Sequence, residues 1–139
     1  MKLKKVELDL LNSMSKNTLM EVLEMKCIEV ADDYLKIRMP ISNNSKQPLG
    51  LLHGGASAAL IESIGSMGSV LLIDLEKEVP VGLEINANHI SGVSEGSVIA
   101  TGKIVHSGKR THVWQVDIHH EETGKLVCTG RLTVMIIAK

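Results

Sequence analysis

The spacing of apolar residues changes its period several times along the chain. Over residues 8–14 they fall at 8, 10, 11 and 14, which predicts a short amphipathic helix, whereas 18–23 follows no clear period. Residues 27–30 and 34–39 are rich in apolar and β-branched side chains around Asp32-Asp33, the pattern of a β-hairpin that Pro40 ends. A polar loop follows over 42–48, where Pro48 disfavours helix at Gln47. Residues 56–73 contain no proline and carry apolar side chains at 56, 60, 64, 67 and 71, so they form the one long helix. Beyond Pro80 the period drops to two: Leu83, Ile85 and Ala87 alternate with Glu84, Asn86 and Asn88, and further strands are predicted over 98–105, 111–118 and 125–137. Turn residues at 94–96, 107–109 and 122–124 predict hairpins between neighbouring strands. One long helix against one antiparallel sheet is an α+β fold, expected as a single domain over 1–139 with 1–18 as an N-terminal helical segment.

Composition narrows the partners. The 139 residues carry 15 Lys+Arg against 16 Asp+Glu, a formal charge of -1, with no basic block to hold phosphates. Trp114 and Tyr34 are the only aromatic side chains, which leaves no stacking platform for bases. No apolar run approaches the ~18 residues of a membrane span. Neither nucleic acid nor membrane is expected as a partner. The basic start Met1-Lys2-Leu3-Lys4-Lys5-Val6 runs into Glu7 and Asp9 rather than an apolar stretch, so it does not read as a secretory signal and the expected location is the cytoplasm. Cys27 and Cys128 have neither a CxxC spacing nor a nearby His/Cys cluster and read as reduced apolar fillers. His119-His120 would point to opposite faces of a strand, so no metal is expected, nor any cofactor. His112 and Trp114 share a strand face and read as packing or interface residues.

Two features of the long helix carry chemistry. His53-Gly54-Gly55 opens it, so first-turn amides are expected to point outward unpaired at the positive end of the helix dipole, where glycines admit a substrate carbonyl. Glu62 is the only formally charged residue between His53 and Asp74. A helical glutamate commonly faces solvent, but these neighbours are apolar, and burial would raise its pKa toward that of a working base or nucleophile. Ser66 lies one turn on, on the same face. Eight residues of helix separate Gly54 from Glu62 by ~12 Å, too far for both to act on one carbonyl. If the two groups cooperate, Glu62 must meet the Gly54 end of another copy, as two antiparallel helices do across a two-fold axis. Gly65 and Gly68, costly inside a helix, point to a close approach between the helix and its neighbour.

The run Gln47-Pro48-Leu49-Gly50-Leu51-Leu52-His53-Gly54-Gly55-Ala56-Ser57-Ala58-Ala59-Leu60-Ile61-Glu62-Ser63-Ile64-Gly65-Ser66, with Val81-Gly82-Leu83-Glu84-Ile85-Asn86-Ala87-Asn88-His89, resembles the hotdog-fold acyl-CoA thioesterases. Within them it is most similar to the Arthrobacter-type 4-hydroxybenzoyl-CoA thioesterases and the 1,4-dihydroxy-2-naphthoyl-CoA hydrolases of menaquinone biosynthesis. The resemblance implies a long helix wrapped by a curved sheet, in dimers joined edge to edge and paired into tetramers, that hydrolyse an aryl or medium-chain acyl-CoA to the free acid and coenzyme A. It makes Glu62 the catalytic carboxylate, as nucleophile or as base, and Gly54 the amide donor to the thioester carbonyl. His53 and Gln47 would assist, with Gln47 and Gly54 from one subunit and Glu62 and Ser66 from the other. By the same likeness Gly55, Gly82, His89, Ser107, Gly108, Lys109 and Arg110 line a coenzyme A groove, the cations meeting its phosphates.

Two other readings keep the fold. A hydratase or dehydratase of acyl thioesters would need a His-Asp pair, and His53 has no Asp at a complementary spacing. A non-catalytic acyl-CoA-binding regulatory module is the other alternative.

Overall fold

The computed structural model describes all 139 residues. Helices α1 (Leu8–Ser13) and α2 (Leu19–Val22) precede strands β1 (Lys26–Val30) and β2 (Tyr34–Pro40). Helix α3 (Gly54–Val70) is followed by β3 (Glu78–His89), β4 (Ser97–Ser107), β5 (Thr111–His120) and β6 (Leu126–Ala138). All six strands join one antiparallel sheet in the order β1-β2-β4-β5-β6-β3, so the predicted α+β layout is what the chain adopts. No helix is long and apolar enough to cross a membrane.

One predicted hairpin is corrected. The turn at 94–96 does not join neighbours: β3 pairs only with β6 at the far edge, and the chain crosses the sheet to begin β4. Turn residues report that the chain reverses locally, while the partner of a strand is set by which faces become buried.

Helix α3 lies across the inner face of the sheet, with Leu60, Ile61 and Ile64 fully buried. Its glycines are explained by Trp114. A Cβ on Gly68 would come within 2.5 Å of the indole ring, and one on Gly65 would meet Leu132 and Trp114, so the helix lies flush on the largest core side chain. Ser69 completes the contact: its Oγ accepts from Trp114 Nε1 at 2.9 Å and pairs with His112 Nδ1 at 3.0 Å. His112 and Trp114 are therefore packing residues, as their shared face predicted. Burial holds the His112 pKa below the ordinary imidazole value. Cys27 and Cys128 are buried free thiols, and burial pushes both upward in pKa.

A β-bulge in β3 decides which residues face the helix. Gly82 pairs with Val134 and Glu84 with Thr133, leaving Leu83 as an extra residue. Gly82 thus lies beside buried Val134, and Ile85, three residues on, beside buried Leu132. Strict alternation would have put Gly82 and Ile85 on opposite faces.

Candidate active site

Glu62 sits in the middle of α3, half-buried, beside a cavity of about 500 Å³. Its pKa is raised because burial disfavours the charged form, and no cation or hydrogen-bond donor enters as an opposing cause. The bulge places Gly82 directly against it, and a Cβ there would overlap the Glu62 carboxylate. Ser63, Ser66 and Met67 continue the cavity wall along α3, and Val79 and Pro80 of β3 form another side. The remaining wall comes from α1, α2 and their connection: Leu11, Met14, Ser15 and Met20. Nothing in the residue pattern pointed to this contribution, because a short amphipathic helix followed by an aperiodic segment does not reveal what it packs against.

The start of α3 is a second, separate place. His53 caps the helix, its Nδ1 accepting from Gly55 N–H at 2.7 Å, while His53 O accepts from Ala56 and Ser57 N–H. The first-turn amides are therefore mostly occupied, against the expectation that they stand open. Only Gly54 N–H has no acceptor within the chain. The His89 imidazole lies over Gly54, where a Cβ would come within 2.9 Å of Nε2. Gln47, Gly54 and His89 line a cavity of about 300 Å³, and Glu62 is not part of it. Gln47 is held by a tight turn, its side-chain carbonyl accepting from Leu49 N–H and its backbone carbonyl from Gly50 N–H at 2.9 Å, with Gly50 at φ 83°.

The expected coenzyme A residues are dispersed within one chain. Gly55 and His89 are at the start of α3, and Gly82 is against Glu62. Ser107, Gly108, Lys109 and Arg110 form the β4–β5 turn, where Arg110 O accepts from Ile136 N–H at 2.9 Å. That turn is at the Pro80 end of the sheet, since Pro80 pairs with Ile136, whereas His89 pairs with Cys128 at the other. Lys109 and Arg110 are exposed and make no salt bridge.

Residues 49–127 match the Thioesterase superfamily. The chain belongs to that superfamily. This thioester hydrolase is 44% identical to the 1,4-dihydroxy-2-naphthoyl-CoA hydrolase of Escherichia coli K12, over 96% of this chain and 97% of the relative. The crystal structure of a thioesterase variant from Pseudomonas aeruginosa, 38% identical, superposes with a TM-score of 0.96 and covers 99% of both chains, which fixes the fold as hotdog. A Staphylococcus aureus thioesterase is known as two alanine variants: the one replacing a glutamate is 45% identical with a TM-score of 0.84, covering 87% of this chain and 99% of that one. The one replacing a glutamine is 46% identical with a TM-score of 0.82, covering 85% and 97%. The two replaced positions are fifteen apart, the spacing of Gln47 and Glu62 here.

Proposed function

We propose that this thioesterase hydrolyses an acyl-CoA to the free acid and coenzyme A at two composite sites in a homodimer. Glu62 and Ser66 come from one protomer, and Gly54, Gln47 and His53 from its partner. One observation carries this reading: the half-buried carboxylate and the free Gly54 amide face different cavities of one chain, so neither cavity holds a complete site. The matched spacing of the glutamine and glutamate replaced in the Staphylococcus aureus relative supports the choice of Gln47 and Glu62.

The exposed edge of β3 supplies the means of joining two copies. It pairs on one side only, and it carries the exposed apolar residues Val81, Leu83 and Ile85. Gly82 marks the level of Glu62 and His89 marks the level of Gly54. Antiparallel pairing of two β3 edges that sets Gly82 opposite the partner's His89 brings each Glu62 to the other Gly54. The two-fold axis then passes near Ile85 and Asn86, midway between them. A stripe of Val81, Val105, Val113, Met135 and Ile137 crosses β3, β6, β5 and β4 and favours a second pairing into a tetramer.

In the reaction, the free Gly54 N–H donates to the thioester carbonyl oxygen and stabilises the oxyanion as it forms. Ionised Glu62 acts on the carbonyl carbon by one of two routes. It attacks directly, giving a mixed anhydride while the C–S bond breaks and the thiolate takes a proton, and water then cleaves the anhydride. Or it removes a proton from a water that attacks in its place, and the C–S bond then breaks as that proton passes to the leaving thiolate. Both routes use only side chains, backbone and water. The hydratase alternative is disfavoured because His53 Nδ1 is engaged by Gly55 N–H rather than by a carboxylate. Gly55, Gly82, His89 and the turn Ser107-Gly108-Lys109-Arg110 hold the coenzyme A portion. The acyl group assigned is 1,4-dihydroxy-2-naphthoyl, on the strength of the Escherichia coli relative and of a cavity beside Glu62 lined by apolar side chains and serine hydroxyls. The cytoplasm, where coenzyme A esters are handled, is the assigned location.

A mixing experiment tests the composite site. Glu62→Gln and Gly54→Val protomers are each expected to be inactive. Refolded together in equal amounts they should regain about a quarter of wild-type activity, since half the dimers then carry one intact site of two. No recovery, with heterodimers present by native mass spectrometry, overturns the arrangement.

A further inference from the structure

The wall that α1, α2 and their connection contribute to the Glu62 cavity contains one polar side chain, Ser15, which is only 6% exposed. Its hydroxyl has a single partner, the thioether sulfur of Met20 at 3.8 Å. Sulfur in a thioether is a weak acceptor, so this buried O–H is left poorly satisfied. Leu11, Met14 and Met20 line the same cavity, as do Ser63 and Ser66 of α3 beside Glu62, and on its other side Ser15 borders a polar cleft with Asn12, Lys16 and Glu21.

We propose that Ser15 is a specificity-determining residue of the acyl pocket, its hydroxyl bonding to a polar substituent, a hydroxyl or carbonyl oxygen, on the ring of an aromatic acyl group. The proposal rests on the thioesterase reading above, because it takes the cavity beside Glu62 to be where the acyl group lies. Its physical basis is independent of Glu62 chemistry. A buried donor with only a sulfur partner gains a full hydrogen bond when an oxygen enters the cavity, and gains nothing from a bare hydrocarbon ring. A site built this way separates a hydroxylated ring from its unsubstituted counterpart far better than an apolar slot can. The N-terminal segment, outside the run that carries the catalytic motif, would thereby set which acyl group is accepted.

The test compares 1,4-dihydroxy-2-naphthoyl-CoA with 2-naphthoyl-CoA, which share ring size and carrier and differ in the two hydroxyls. Ser15→Ala is expected to lower kcat/KM about tenfold on the dihydroxy ester and to leave the unsubstituted ester within about twofold of wild type, so the second ester also reports folding. Met20→Leu, which keeps Ser15 but removes the sulfur that competes for its hydroxyl, should hold the preference for the dihydroxy ester at or above that of wild type. Equal losses on both esters, no loss on either, or a Met20→Leu variant that reproduces the Ser15→Ala pattern would each overturn the assignment, leaving Ser15 as a packing residue of α1 and α2. Wild-type protein that cleaves neither ester, nor any other acyl-CoA, would instead overturn the thioesterase reading itself, and this inference with it.

Discussion

Gly82 and Glu62 claim the same space: the carboxylate on α3 occupies the position that a β-carbon on β3 would take. The edge strand therefore acts as the floor on which the glutamate rests, and the Leu83 bulge turns that floor toward the helix.

Gly82→Ala should displace the Glu62 carboxylate while leaving the core intact, because Gly82 lies in an exposed edge strand. A misplacement of about 1 Å at a reacting group costs about 10²-fold, so kcat/KM should fall by that order with little change in melting temperature. Steady-state kinetics beside thermal unfolding check this. Unchanged kinetics would show that the carboxylate does not depend on this floor.

Glu62 makes a pH prediction of definite sign. Its folded pKa lies above the ordinary glutamate value, and in the proposed mechanism the ionised form does the chemistry. Activity should therefore rise with pH through a midpoint above 4.5 and level off once Glu62 is ionised. Stability runs the other way. The folded state binds this proton more tightly than the unfolded chain, so the group favours folding most below its unfolded pKa, and that contribution is lost as pH rises through the folded value. Glu62→Gln should remove at least about 10²-fold of kcat/KM and leave the protein as stable as wild type or more so at neutral pH. A pH–rate profile and paired melting curves measure both effects.

Ile85, 38% exposed on the helix side of β3, lies where the proposed two-fold axis would pass. Ile85→Arg would bring two like charges together across that axis, so sedimentation should show monomers, and activity should disappear because neither half-site works alone. An active monomer in the centrifuge would end the composite-site mechanism.

Ser69 satisfies two buried groups at once, Trp114 Nε1 and His112 Nδ1. Ser69→Ala leaves both without their partner, each at a cost of about 1–3 kcal/mol, which denaturant unfolding would register. His112 contributes an acid limb to stability. With its folded pKa below 6.5, stability is complete above the unfolded value and declines as pH falls through the folded one. His112→Asn should flatten that limb.

The long helix, the strand-rich remainder, the unpaired and buried cysteines and the membership that the Gly54–Glu62 run announces could all be read along the chain. Each of these is local: a period, a composition or a fixed spacing along one helix. The ~12 Å between Gly54 and Glu62 was legible for the same reason, since helical rise is constant. The rest depended on which segments pack together in three dimensions. A period-two pattern gives each strand two faces but no neighbour, so the placement of β3 at the far edge beside β6 could not be read from the turn at 94–96. One extra residue in a strand reverses every face beyond it, so the turn of Gly82 toward Glu62 depended on a bulge that no residue type at Leu83 announces. His53 consumed one of the amides it seemed to leave open because a cap is a matter of side-chain rotamer. The N-terminal wall of the cavity, Ser15 included, exists only through packing between segments about fifty residues apart in the chain, which no local pattern records.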